Sequence, residues 1–162
     1  MNKSDIFIDK IMRYMRVLIY PFVILATIGL VLTLIAHFSM WAGFDNLLGK
    51  YTIKLFIGIP VVWLPTALVI RLLTRDSEQK ALWKVCLREC PVWMKHMSSV
   101  FLIYAFIGFG FLLFGIYTDI KHGSSGNGLP KFVSLGMSGI CMMFYSTAIA
   151  VLYSAKRRNE KV

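Results

Sequence analysis

The segment VLIYPFVILATIGLVLTLIAHFS, residues 17–39, contains no Asp, Glu, Lys or Arg. A helix needs about 20 mostly apolar residues to cross the ~30 Å hydrocarbon core of a bilayer. Three further apolar runs of comparable length follow at residues 53–73, 100–117 and 132–154. We therefore expect an all-α membrane protein, in which residues 1–162 form a single domain, a bundle of four transmembrane helices.

The composition excludes an ordinary soluble domain. The mean hydropathy is +0.67 and 57% of the residues are hydrophobic, whereas 162 residues leave no room for a second folded domain. The first apolar run is longer than the 7–15-residue core of a secretory signal peptide, and the sequence Phe38-Ser39-Met40-Trp41 is no small-residue cleavage site. We expect this run to remain part of the protein.

The basic residues predict the orientation. Of the 18 Lys and Arg residues, fourteen precede the first run, lie at residues 71–95 at the end of the second run and in the connection to the third, or follow the fourth. Short cytoplasmic segments of membrane proteins carry such an excess, so both termini should be cytoplasmic in a multi-pass protein of the bacterial inner membrane. Topology also accounts for the net charge of +10, so no nucleic-acid partner is expected.

The N-terminal residues 4–16 place apolar side chains on one helical face and charged side chains on the other. This pattern fits a helix that lies in the membrane interface and leads into the first span. It fits equally well a longer first span that protrudes into the cytoplasm, because no helix breaker separates the two segments.

The connection between the second and third runs predicts an amphipathic interfacial helix. Asp76 can cap its start, and Pro91 ends it after Cys90. Basic residues recur every fourth position along one side, which is typical of a helix on the anionic inner leaflet, although a docking site for a cytosolic partner is the alternative. The residues assigned to the lipid surface are Lys80, Lys84, Arg88, Trp83 and Trp93.

The second, third and fourth runs carry features of helix packing. Pro60 and Pro65 should kink the second span, because each removes a backbone donor and clashes with the preceding turn. Glycines in the third span and a small-residue stripe in the fourth allow close approach of another helix, from this chain or from a second copy. The predicted helix-contact residues are Ser134, Ser138, Ser146, Ala150, Gly108, Gly110 and Gly115.

The ionisable residues disfavour ion-coupled transport and bound cofactors. All eight carboxylates lie outside the apolar runs, whereas pumps and proton-coupled transporters normally need one within the membrane. His37 is the one histidine inside an apolar run, so haem with two histidine ligands would need two copies. Cys86, Cys90 and His96 have too few ligands and the wrong spacing for structural zinc. We expect no cofactor and no metal.

One motif suggests proteolysis. The sequence Gly136-Met137-Ser138-Gly139 is similar to the Gly-x-Ser-Gly nucleophile motif of rhomboid-type intramembrane proteases, and His37 could lie at a similar depth as the base. Rhomboids have six or more helices, however, and no oxyanion donors are identifiable in this sequence. We therefore expect that the protein is not an enzyme.

Several phrases of the sequence are shared with one family. They are Ala36-His37-Phe38, the residues PVVWLP at 60–65, the block from Ala81 to Cys90-Pro91-Val92-Trp93-Met94, and Ser138-Gly139. In these, the chain resembles a family of small bacterial inner-membrane proteins with four helices. The resemblance implies an architecture and no activity. Members have His-Trp after the Ser-Gly pair, where this chain has Ile140-Cys141, so no role of that histidine carries over.

Together these patterns favour a non-enzymatic protein that acts through helix–helix association, as an accessory subunit or a homo-oligomer. Two other classes share its size, charge and helix number. One is a bacteriocin-type immunity protein, which would protect against one pore-forming toxin. The other is a membrane-permeabilising defence effector or small channel, which would release ions from liposomes.

Overall fold

The computed structural model describes residues 3–43, 45–74, 82–122 and 131–160, with side chains for 19–43, 51, 53–74, 82–117 and 133–158. These residues form five helices and no strand. The helices are α1 (Lys3–Trp41), α2 (Asp45–Thr74), α3 (Leu82–Cys86), α4 (Val92–His122) and α5 (Lys131–Glu160).

Four of the helices are long and apolar enough to cross a membrane, which confirms a helical protein with four candidate spans. The spans are Ile19–Trp41, Ile53–Thr74, Val92–Tyr117 and Val133–Arg158. The third begins eight residues before the predicted start at position 100, because α4 already begins at Val92. His96, predicted to lie outside the spans, is therefore in the first turns of the third.

Successive long helices run in opposite directions. The Lys156 ammonium at the end of α5 lies 4.8 Å from the ring centroid of Tyr20, near the start of the first span. Val69, late in α2, joins the same end of the bundle, where it packs with Ile19. This end, which also holds α3, is called the basic end below.

The last helix, α5, is the centre of the bundle. About 67% of its span is buried, compared with 17–28% for the other three. It packs against α1, α2 and α4, and α1 also packs against α2, whereas α4 has α5 as its one extensive neighbour among the described residues. The other helices can therefore expose apolar side chains to lipid while α5 supplies the core.

Tyr145 of α5 shows how the centre is packed. Its ring lies against Gly29 of α1, where a Cβ atom would come within 2.5 Å of the ring, and its hydroxyl lies close to Gly58 of α2. The hydroxyl donates a hydrogen bond to the Leu55 carbonyl over 2.8 Å. Two small residues thus admit one large aromatic side chain, which joins three helices.

The first helix is continuous from Lys3 to Trp41, and at 1.5 Å per residue it is about 58 Å long. Residues 4–16 therefore form one continuous helix with the first span. The helix ends at Trp41, and the turn after it contains Gly43, whose φ of 89° suits glycine because it lacks a Cβ, and whose N–H bonds to the Met40 carbonyl.

The connection between α2 and α4 differs from the predicted helix at its C-terminal side. The helix α3 ends at Cys86, four residues before Cys90. The following turn is attached to α5, because the Glu89 N–H donates to the Ser154 hydroxyl over 3.2 Å and the Cys90 thiol donates to the Ala150 carbonyl over 2.8 Å. Residues 75–81, including the predicted cap Asp76 and Lys80, lie outside the described part.

Helix α2 is continuous through both predicted kink residues, Pro60 and Pro65. A third proline, Pro21, lies inside α1. Pro60 is exposed and Pro65 is partly buried, so Pro60 faces away from the core.

Candidate functional site

A chain of polar side chains joins three helices near the end opposite to the basic end. His37 of α1 lies with Nδ1 2.7 Å from the Ser138 hydroxyl oxygen of α5. Its Nε2 lies 2.7 Å from the hydroxyl oxygen of Tyr104 in α4. His37 and Ser138 are buried and Tyr104 is partly buried. We call these three residues the polar cluster.

The hydrogen bonds of the cluster run in one direction. The Ser138 hydroxyl donates to the Leu135 carbonyl over 2.8 Å, so its oxygen accepts the proton of His37 Nδ1. In that tautomer Nε2 is an acceptor, and the Tyr104 hydroxyl donates to it. The tautomer of His37 is therefore set by its two partners.

This arrangement limits what the cluster can do chemically. Ser138 is fully buried, and its proton is directed to a backbone carbonyl, away from the imidazole. A serine nucleophile needs the opposite polarity, with the imidazole accepting the serine proton, and it needs access to a substrate carbonyl. The structure brings the predicted Ser–His pair together, with Nδ1 of His37 2.7 Å from the Ser138 hydroxyl oxygen.

A groove runs between α1 and α4, with α5 as its floor. Its first part, the His37 cavity, has a volume of about 430 Å³ and is lined by apolar side chains together with His37 and Tyr104. Its second part, the Tyr153 cavity, has about 320 Å³ and reaches towards the basic end between Val23 and Trp93. Phe101 lines both cavities, so they adjoin at this residue.

The predicted glycine contacts divide into two kinds. A Cβ on Gly108 would lie 3.3 Å from the Gly136 carbonyl oxygen, so these residues bring α4 and α5 into backbone contact. Gly115 is buried. Gly110 has open space around its Cβ position, within a notch of about 420 Å³ on the outer surface of α4.

The predicted stripe of α5 is buried at each position, but it does not face one helix. Ser138 contacts α1, as described above. Ser146 lines the Tyr153 cavity, between α1 and α4. Ala150 accepts a hydrogen bond from the turn after α3. Ser134 is buried as well, with 4% of its surface exposed. The small side chains therefore admit several neighbours around a central helix.

The residues predicted to face lipid are exposed wherever the structure describes them. Trp83, Lys84, Arg88 and Trp93 all lie near the basic end, and Lys80 is outside the described residues. Among the described side chains, Lys54 is the one basic residue at the opposite end. The described Lys and Arg side chains at the basic end are those of Arg71, Lys84, Arg88, Lys95, Lys156, Arg157 and Arg158.

The thiols outside the spans have low reactivity. Cys86 and Cys90 are buried, and burial raises the pKa of both. For Cys90 the nearby Lys95 and a hydrogen bond with Ser154 oppose part of that rise. The described residues contain no group of three or more His, Cys, Asp or Glu residues that could hold a metal ion.

Two members of the polar cluster were singled out from the sequence, and Tyr104 was not. The third span is rich in aromatic residues, and a tyrosine there is as compatible with lipid contact as with a hydrogen bond to another helix. The sequence alone therefore does not identify Tyr104 as part of the cluster. Gly136, which faces Gly108, belonged to a quoted motif but was not among the predicted contact residues. Only the pairing of α4 with α5 shows its role.

Comparisons of the chain with protein-family models, curated proteins and solved structures gave no match.

Proposed function

We propose that this four-span membrane protein acts without catalysis, through helix–helix association in the bacterial inner membrane, as a homo-oligomer or as an accessory subunit. The observation that carries the proposal is the notch at Gly110 on the outer surface of α4, formed with Ile107, Phe111 and Phe114.

The two glycines of α4 lie on different faces of the helix. Residues two positions apart are separated by about 200° around a helix axis, so Gly110 points away when Gly108 faces α5. Within one chain Gly110 supports no packing, because a Cβ there would meet nothing within 4 Å. Helix association in membranes depends on close packing at small residues, and Gly110 offers such a place between exposed Phe111 and Phe114.

Co-purification of two differently tagged copies from detergent tests self-association. Gly110→Leu should fill the notch and abolish co-purification, while leaving the monomer folded. Ala67→Leu is the matched control, because Ala67 is an exposed small residue on α2, away from the notch. Equal co-purification of the two variants would overturn the proposal. It would also be overturned if the wild-type protein associates neither with a second copy nor with another membrane subunit.

The burial and polarity of Ser138 support a role without catalysis. A fluorophosphonate probe, which labels activated serines, should not label the wild-type protein in membranes. Labelling that disappears in Ser138→Ala would show a reactive nucleophile and contradict this part of the proposal.

The charges support cytoplasmic termini. The ends of α2 and α5 and the whole of α3 share the basic end, where the described basic side chains gather. Basic residues are retained on the cytoplasmic side, where the inner leaflet is anionic.

A further inference from the structure

The Tyr153 cavity has the depth of one leaflet. On α4 it extends from Trp93 to Phe101, which corresponds to about 12 Å along the helix. Half of the ~30 Å hydrocarbon core is about 15 Å. The cavity therefore covers the leaflet next to the basic end, and it opens between α1 and α4 towards surrounding lipid.

The size and lining of the cavity suit a thin apolar occupant. The cavity has about 320 Å³. Its lining is apolar apart from Ser98, Thr27, Ser146 and Tyr153, and the first three hydroxyls already have partners in Thr147, Val23 and Met143. A single hydrocarbon chain fits this space and this chemistry.

The mouth of the cavity is basic and aromatic. The Tyr153 hydroxyl, on the cavity wall, accepts a hydrogen bond from Arg157 Nε over 3.1 Å. The guanidinium carbon of Arg157 also lies 5.8 Å from the ring centroid of Tyr153. Trp93 lines the cavity from α4 and is 63% exposed, as an aromatic side chain at a membrane interface often is. The guanidinium thus stands where a lipid phosphate would lie.

We propose that the Tyr153 cavity binds one acyl chain of a phospholipid with an anionic headgroup, and that Arg157 holds this headgroup at the basic end of the bundle. The lipid fills the seam that α1 and α4 leave open over α5. This binding is independent of self-association, because Gly110 lies on another surface of α4.

Quenching of Trp93 fluorescence by brominated lipids tests the proposal. The full chain with Trp41, Trp63 and Trp83 replaced by Phe is reconstituted in phosphatidylcholine vesicles. An equal small fraction of dibrominated phosphatidylglycerol or dibrominated phosphatidylcholine is then added. Phosphatidylglycerol should occupy the site about fivefold more than phosphatidylcholine, since one basic residue near an anionic surface contributes ~1 kcal/mol. Equal quenching by the two lipids would overturn the proposal.

Two matched pairs of variants locate the lipid. Arg157→Gln should remove the preference for phosphatidylglycerol, whereas Arg158→Gln, on the neighbouring exposed residue, should keep it. Thr27→Phe should fill the cavity and reduce quenching by both lipids, whereas Ile28→Phe, on the adjacent exposed position outside the cavity, should not. The proposal fails if the members of either pair behave alike. Both Phe variants replace exposed residues, and an unchanged elution volume confirms that they are folded.

Discussion

Tyr104 contributes a hydrogen bond where α1 and α4 have little other contact. Its hydroxyl reaches His37 over 2.7 Å, and the two rings meet edge to face with centroids 5.4 Å apart. Hydrogen bonds between helices in membranes contribute about 0.6 kcal/mol on average and up to ~1.7 kcal/mol. The bond to His37 should lie in the upper part of that range, because loss of the tyrosine hydroxyl leaves a buried imidazole nitrogen without a donor.

Tyr104→Phe should lower the free energy of unfolding in detergent by about 1–1.5 kcal/mol. Ser99→Ala is the control, since the Ser99 hydroxyl is exposed and bonds only to the Lys95 carbonyl of its own helix. Thermal or denaturant unfolding of the purified proteins measures both. A loss in Ser99→Ala equal to that in Tyr104→Phe would show that the polar cluster adds no stability.

The buried thiols predict a dependence of stability on pH. Burial raises the pKa of Cys86 and Cys90 in the folded protein, so the thiols ionise at lower pH in the unfolded chain. Their contribution to stability is complete below the pKa of the unfolded chain, and it is lost as pH rises above that value.

When the pH is raised from 8 to 10, the free energy of unfolding of Cys86→Ala should therefore decrease by less than that of the wild-type protein. Native membranes should also react slowly with maleimide at these positions, and protein in denaturing detergent should react fast. Identical pH profiles of the two proteins would contradict the assignment of the titration to Cys86.

The sequence predicted His37 and Ser138 as a pair at similar depth, but not the way in which they are bonded. Depth follows from counting residues along two spans. The direction of the hydrogen bond depends on Leu135, whose carbonyl takes the serine proton, and on Tyr104 from a third helix. Both depend on helix rotation, which a uniformly apolar span does not encode.

The contact between α4 and α5 depends on two glycines that face each other. A Cβ on Gly136 would collide with the Gly108 carbonyl and would lie 2.7 Å from the Leu112 Cβ atom. Because the first obstacle is backbone, the helices must move apart to admit a methyl group. Overpacking of this kind costs about 1–3 kcal/mol.

Gly136→Ala should lower the stability of the purified protein by that amount and weaken the attachment of α4. Gly110→Ala, on the same helix pair but facing open space, should change stability little, apart from a small gain in helix propensity. Proteolysis and thermal unfolding in detergent compare the two. Equal stability of the two variants would contradict the close approach of α4 to α5.

The four spans were predicted from the sequence because length and hydropathy alone identify them. Which spans pack against each other was not predicted, because spans that expose as much apolar surface as α2 and α4 carry no amphipathic pattern. The helix predicted between the second and third spans extended to Cys90, whereas α3 ends at Cys86. The turn that follows it is held by Ser154 and Ala150, 65 and 60 residues away from their partners in sequence, and such distant bonds leave no local pattern.

The distribution of charge over the whole protein predicts its orientation. A reporter active only in the cytoplasm should be active when fused after Val162, and inactive when inserted after Asn127, in the segment between α4 and α5. A reporter active only in the periplasm should give the reverse result. Activity of the periplasmic reporter at Val162 would contradict the orientation proposed from the basic residues.

The position of α5 has a consequence for biosynthesis. The helix that joins the others follows them in the chain, so it leaves the ribosome after them and α4 enters the membrane before its main neighbour exists. A nascent chain paused before residue 131 would leave α4 in lipid, with α1 and α2 paired beside it. Assembly of the bundle must then wait until α5 has been translated, and products that terminate before residue 131 should be substrates for quality-control proteases of the membrane.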